Sequence, residues 1–158
     1  LAEESLRRAL TLAPKRQDIY YLLAFALAGE ERFDEAVELA REAVLLDSNV
    51  AKAHYNLGLE LAFAGREYWD EARLELGKAL DIGFVNRNLV ESDFHNMATA
   101  YQKMLQTYIL ERDRERVLDV ARRLRQVSPA LQKDMDVLIQ LVQKNDWNGV
   151  FRKFGVSS

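Results

Sequence analysis

The sequence predicts an all-α protein: a stack of antiparallel helix pairs, about three repeats long, with a half-repeat before them and capping helices after. Three observations carry this. Over residues 17–83 one pattern is written twice, since Tyr20, Leu23, Ala24 and Leu27 recur 34 places later as His54, Leu57, Gly58 and Leu61. Ala36, Ala40 and Ala43 likewise recur 36 places later as Ala72, Leu76 and Ala79. Within each copy the apolar residues fall at the i, i+3, i+4, i+7 spacing of one helix face. Finally, 2 prolines and 7 glycines in 158 residues leave little material for turns, which favours long helices over many short strands.

In chain order, residues 1–14 are expected to be the second helix of a truncated repeat, with Ala2, Leu6 and Ala9 in register with Ala36, Ala40 and Ala43. Pro14 stops it, lacking an amide hydrogen and disfavouring helix in the residue before it. Residues 17–48 form the first complete repeat. Gly29 to Arg32 make its turn, and Asp34 is expected to cap its second helix. Residues 51–83 form the next repeat, with Gly65 expected as a left-handed helix end, two extra loop residues within Arg66–Trp69, Asp70 as a cap and Gly83 as the close. Residues 88–128 are an extended, atypical repeat. Asn88 and Glu91 have capping-box spacing. Phe94, Met97, Ala98 and Tyr101 match the earlier stripe, which continues through Met104, Leu105, Tyr108 and Ile109. The surplus of residues before Val117 predicts a longer helix pair projecting beyond the stack. Pro129 ends this unit. Residues 131–155 supply two capping helices, with Asn145 ending the first and Gly155 stopping the second. The whole is expected to be one domain spanning 1–158.

Composition removes several classes of function. A net charge of −3 disfavours a general binder of nucleic acid or anionic membrane. Arg122, Arg123 and Arg125 do cluster, but amid acids such as Asp119, and read as a solvated face. There is no cysteine, hence no disulfide framework or thiolate chemistry. No apolar run is long enough to span a bilayer. The two histidines, His54 and His95, fall in different repeats, and no zinc spacing, phosphate-cradling glycine loop or nucleophile elbow is present. The expectation is therefore a non-catalytic protein with no metal and no cofactor. The start at Leu1, in mid-pattern, suggests an excised fragment.

These spacings resemble the tetratricopeptide repeat, a 34-residue pair of antiparallel helices. Tyr20, Leu23, Ala24, Leu27, Ala36, Ala43 and Pro14 carry the resemblance. His54 and Ala40 depart from the usual bulky residues, and Ser48 and Phe84 stand where a closing proline is usual. The resemblance implies a right-handed superhelix whose concave wall, made by the first helix of each pair, binds a peptide or helix of a protein partner. Position by position, the wall would carry Asp18, Tyr21, Leu22 and Phe25, then Lys52, Tyr55, Asn56, Leu59 and Phe63, then Ser92, His95, Asn96, Thr99 and Lys103. Tyr21, Phe25, Tyr55 and Phe63 lie off the core stripe, so they either pack neighbouring repeats or form an exposed aromatic wall. Tyr55 and Asn56 are expected at its centre. Asn56 and Asn96 hold equivalent positions and can offer a donor and an acceptor to an extended backbone. Lys52, Asn56, Asn96 and Lys103 make only a partial version of the family's carboxylate clamp.

Two further readings stay open. Pro14–Ala24 with Asn49–Leu61 resembles the soluble repeat tails of bacterial O-antigen ligase or polymerase-like membrane proteins, which implies a cytoplasmic or envelope-associated setting in a bacterium. Met104, Tyr108 and Ile109, lying beyond the normal helix length, would form a homodimer surface if their partner helix leaves them uncovered. The alternating run Glu111–Arg116 reads as a docking point or as a solvated helix end.

Overall fold

The computed structural model describes residues 2–86 and 89–155, and side chains throughout these except at 84–86. It forms two compact units, residues 1–90 and 91–158. Among the described residues there are nine α-helices, two short 3-10 helices and no strand.

The first unit holds α1 (Ala2–Leu12), α2 (Gln17–Gly29), α3 (Phe33–Leu46), α4 (Ala51–Ala64) and α5 (Trp69–Asn86). Each packs on its neighbour in sequence, and α2 also packs on α4. Leu23, Ala24, Leu27 and Ala36 are fully buried, with Leu6 and Leu10 of α1 laid against them. Ion pairs tie α3 and the residue before it to α1 and α5. The Arg32 guanidinium is shared between Glu35, at 2.7 and 2.8 Å, and Glu3 of α1, at 2.8 Å. Arg41 of α3 grips Glu71 of α5 through both of its terminal nitrogens.

The two copies solve the same packing problem with different residues. The Tyr20 hydroxyl donates to the carbonyl of Pro14 at 2.9 Å. His54, its counterpart, places Nε2 2.9 Å from the carbonyl of Ser48, the counterpart of Pro14. A carbonyl only accepts, so Nε2 carries the hydrogen. The other ring nitrogen, Nδ1, lies 2.5 Å from Oε2 of Glu75, whose second oxygen accepts from Lys78 at 2.8 Å. Burial works to raise the Glu75 carboxyl, but the hydrogen bonds from Lys78 and His54 outweigh it and hold the group below its ordinary range. One hydrogen lies between Nδ1 and the Glu75 carboxyl and completes the arrangement. The first copy has Leu39 where the second has Glu75.

A second exchange lies where the paired helices approach closely. Ala24 and Ala40 in the first copy become Gly58 and Leu76 in the second, all buried. A Cβ on Gly58 would stand 2.7 Å from the Leu76 side chain and 3.0 Å from its backbone nitrogen, so glycine is what admits the leucine.

The second unit holds α6 (Glu91–Leu110), α7 (Arg114–Val127), α8 (Gln132–Gln143) and α9 (Trp147–Phe154), again packed in sequence. Three turns among the described residues share one geometry. Glu31, Arg112 and Asn145 adopt the left-handed conformation, with φ of 61, 53 and 59°. In each, the following amide reaches back five residues: Arg32 to Leu27, Asp113 to Tyr108 and Asp146 to Leu141. This is the Schellman helix ending, which satisfies carbonyls otherwise left without a partner. Asn145 ends α8 and Gly155, at φ 62°, ends α9, both as the sequence predicts. The run Glu111–Arg116 is used in building its turn, since Asp113 caps α7 by accepting from the amide of Arg116 at 3.1 Å.

Several local expectations are corrected. Asp34 and Asp70 do not cap helices; each sits inside a first turn, where its charge complements the helix dipole. Gly65 is extended, at φ 164°, and the extra loop residues form a 3-10 helix (Arg66–Tyr68) leading straight into α5. Gly83 lies within α5, where a Cβ would meet Leu89 at 2.7 Å, so it provides clearance instead of closing the helix. The capping role of Asn88 lies outside the described residues. The third pair is lengthened through its first helix alone. With 20 residues α6 exceeds the 13 of α2, whereas α7 has 14, as α3 does.

The turn fixes the true register. Glu31 and Arg112 are 81 places apart, and the same shift carries Ala36, Ala40 and Ala43 onto Val117, Ala121 and Leu124. Matching by apolar stripe placed Phe94 only 74 places after Tyr20, two helical turns out. The surplus therefore lies at the start of α6. Met104, Leu105, Tyr108 and Ile109 are buried, so the uncovered stripe that a homodimer face required does not exist.

Candidate functional site

The expected wall of the first unit divides into covered and uncovered residues. On α2, Leu22 is 55% exposed and Phe25 76%. Phe63 on α4, which packs on α2, is 41% exposed. Leu22 and Phe25 are three residues apart and share a side of their helix. Asp18 is exposed and held by Arg16, whose Nε donates to it at 3.1 Å. Tyr21 is half-buried, its hydroxyl enclosed without a hydrogen-bond partner. Burial, with Asp18 and Asp47 adding repulsion, pushes that phenol up to about 12. Leu59 is half-buried.

Tyr55 is not an exposed centre of the wall. It is 4% exposed, and the Lys52 ammonium sits over its ring, 4.6 Å from the centroid. The Asn56 amide donates to the Lys52 carbonyl of its own helix at 2.8 Å, which engages one of its two N–H donors. Tyr55→Ala is accordingly a probe of stability, not of binding. The cause is positional: α4 packs against α5, α3 and α2, which together enclose residues a helical wheel leaves at the edge of the core.

In the second unit Ser92, His95, Asn96, Thr99 and Lys103 are all exposed. The Thr99 hydroxyl is turned back onto the His95 carbonyl at 3.2 Å. In the register set by the turns, Asp18 corresponds to Thr99 and Leu22 to Lys103, so these two keep wall positions. His95 and Asn96 lie in the two added turns of α6 and have no counterpart on α2. The equivalents of Tyr21 and Phe25 are Gln102 and Gln106, which matching by stripe missed and matching by turn would have found.

Gln102 and Gln106 border a pocket of about 350 Å³. Leu105 and Ile109 of α6, Leu124 of α7, Leu131, Met135 of α8 and Phe154 of α9 line it, and Asp134 of α8 completes the rim. Gln102, Gln106 and Asp134 are all exposed to solvent.

The chain matches no family model and no curated protein. What it binds must be read from its own surfaces. No group of three or more metal-ligating side chains occurs among the described residues, and no described helix is long and apolar enough to cross a membrane. Of the basic cluster on α7, Arg125 is paired with Asp136 at 2.8 Å and Arg123 reaches Gln126 at 3.4 Å. Three buried acids, Glu60, Glu75 and Asp93, escaped sequence reasoning. Glu60, on α4 between Asn56 and Phe63, is 8% exposed, and burial raises its carboxyl to about 7. A charged residue near the apolar stripe gives no sign in sequence that the surrounding fold closes over it.

Proposed function

We propose that this chain is a non-catalytic protein-interaction scaffold of the tetratricopeptide type, a right-handed stack that binds a segment of a protein partner along α2 and α4. The observation that carries the reading is the exposure of Leu22, Phe25 and Phe63 on two helices packed side by side. Scattered exposed leucines are ordinary, and Leu12, Leu45 and Leu74 on the second helices are of that kind. Two aromatics and a leucine on adjacent first helices make a strip that water solvates poorly and a partner can cover. The aromatic content suits an interface anchor, since such residues dominate binding energy.

The bound segment would be gripped mainly by apolar contact. Asp18 and Lys52 lie on the same two helices and offer opposite charges to its flanks. Asn56, with one N–H donated to Lys52, offers its carbonyl oxygen and its second N–H to the backbone of the partner.

The test is affinity capture from the native lysate with the wild-type chain and with Leu22→Ser/Phe25→Ser/Phe63→Ser. The expected result is a discrete set of proteins retained by the first and lost by the second, with both chains equally helical and equally heat-stable. Each side chain is expected to contribute about 1–3 kcal/mol to binding. Capture that survives the triple substitution would place the interface elsewhere and overturn this reading.

A further inference from the structure

The pocket of the second unit differs from the strip of the first in one respect: it has a polar rim over an apolar floor. Leu105, Leu124 and Met135 of the floor are buried, while the rim carries Gln102, Gln106 and Asp134. Gln102 and Gln106 are four residues apart on one side of α6, and Asp134 comes from α8. The two amides supply acceptor oxygens, and among the described lining residues the Asp134 carboxylate is the only charged group. At about 350 Å³ the space is at the small end for ligand sites, too narrow for a helix but sufficient for one bulky side chain and the adjoining methylenes.

We propose that this pocket receives the anchor of a partner segment in which a bulky apolar side chain is flanked by lysine or arginine. The proposal rests on the scaffold reading above and adds to it a second contact with a defined charge preference. Complementarity is the argument. An apolar group entering the pocket covers the half-buried Leu131 and Phe154 without stranding a polar atom. Its cationic neighbour meets the Asp134 carboxylate and the glutamine oxygens at the rim, where an anion would meet repulsion and no positive partner. Asp134 also stands in the first turn of α8, where an acid complements the helix dipole, so a purely structural role has to be separated by experiment.

Fluorescence anisotropy of the full chain with three blocked, fluorescein-labelled nonapeptides makes the test. The first has a central Leu-Phe flanked by lysines, the second has glutamates for the lysines, and the third has alanines for Leu-Phe. The first is expected to bind about tenfold or more tighter than either of the others. Asp134→Lys should weaken it by about tenfold and strengthen the glutamate peptide, and Gln106→Trp, which fills the pocket, should weaken the lysine peptide as well. A merely structural Asp134 would lower thermal stability in Asp134→Asn and leave the peptide affinities unchanged, which overturns the proposal. Equal binding of the lysine and glutamate peptides also overturns it. Capture of a lysate partner that depends on Leu22, Phe25 and Phe63, alongside indifference to all three peptides, would leave the scaffold reading standing and sink this one.

Discussion

The first unit contains the same helix pair twice, and the two copies differ by exchanges that compensate each other. Tyr20 with Leu39 in one becomes buried His54 with Glu75 in the other, and Ala24 with Ala40 becomes Gly58 with Leu76. The hydrogen bond to the preceding loop survives the first exchange, at 2.9 Å in both copies. What the repeat keeps is a packed contact and a hydrogen bond, not a residue. The copies can therefore be converted into one another only by changing both partners together.

The ion pair offers the largest test. Glu75→Leu alone leaves the His54 ring facing no acceptor at Nδ1 and should cost about 3–5 kcal/mol in urea unfolding. Adding His54→Tyr restores the pairing of the first copy and should recover most of that loss. A double variant no more stable than the single would show that the two copies are not interchangeable.

Glu60 comes next, and it has no counterpart in this scheme: the first copy places Ala26 there. Its folded value of about 7 stands above the ordinary 4.5, so the folded state holds its proton more tightly than the unfolded chain does. Stability from this group is complete below about pH 4.5 and declines until the pH passes about 7. Glu60→Gln should abolish that decline and gain up to about 3 kcal/mol at pH 8. Glu75 works in the opposite direction. Its lowered value contributes stability above the ordinary carboxylate range, lost as acid protonates it. A variant whose unfolding midpoint keeps the wild-type pH slope between 5 and 7 would remove Glu60 as its cause.

Gly58 gives a smaller effect with a change of sign. In the wild type, Gly58→Ala overpacks Leu76 and should cost about 1–2 kcal/mol, even after the gain in helix propensity. In a Leu76→Ala background the same substitution rebuilds the Ala24–Ala40 arrangement and should stabilise by about 0.5–1 kcal/mol. The same sign in both backgrounds, by thermal or urea unfolding, would contradict the packing account. Smallest of all, Glu31→Gly relieves a left-handed residue and should raise stability by about 0.5–1 kcal/mol. Asn145→Gly should do less, because asparagine tolerates that conformation.

The helical class, the first two pairs and the capping helices were legible because a period and a face repeat in the sequence. Legibility stopped where two signals competed. Along α6 the apolar stripe runs through two additional turns, so Phe94 and Tyr101 match Tyr20 equally well by residue type. Only the left-handed turn at Arg112 decides between them, and an arginine does not announce a positive φ as glycine would. That error in register carried His95 and Asn96 onto the wall and hid Gln102 and Gln106. Tyr55 failed for a different reason. Its burial is made by tertiary packing, of which a single helix's pattern contains nothing. Leu22, Phe25 and Phe63 stayed exposed, so part of the proposed wall was legible from position alone.

Hydrogen exchange of the chain, alone and saturated with its captured partner, addresses the interface most directly. Slowed exchange over residues 18–29 of α2 and 52–63 of α4 is the predicted result, with α3 unchanged. Protection confined to α3 and α5, or none anywhere in the first unit, would contradict a partner seated on Leu22, Phe25 and Phe63.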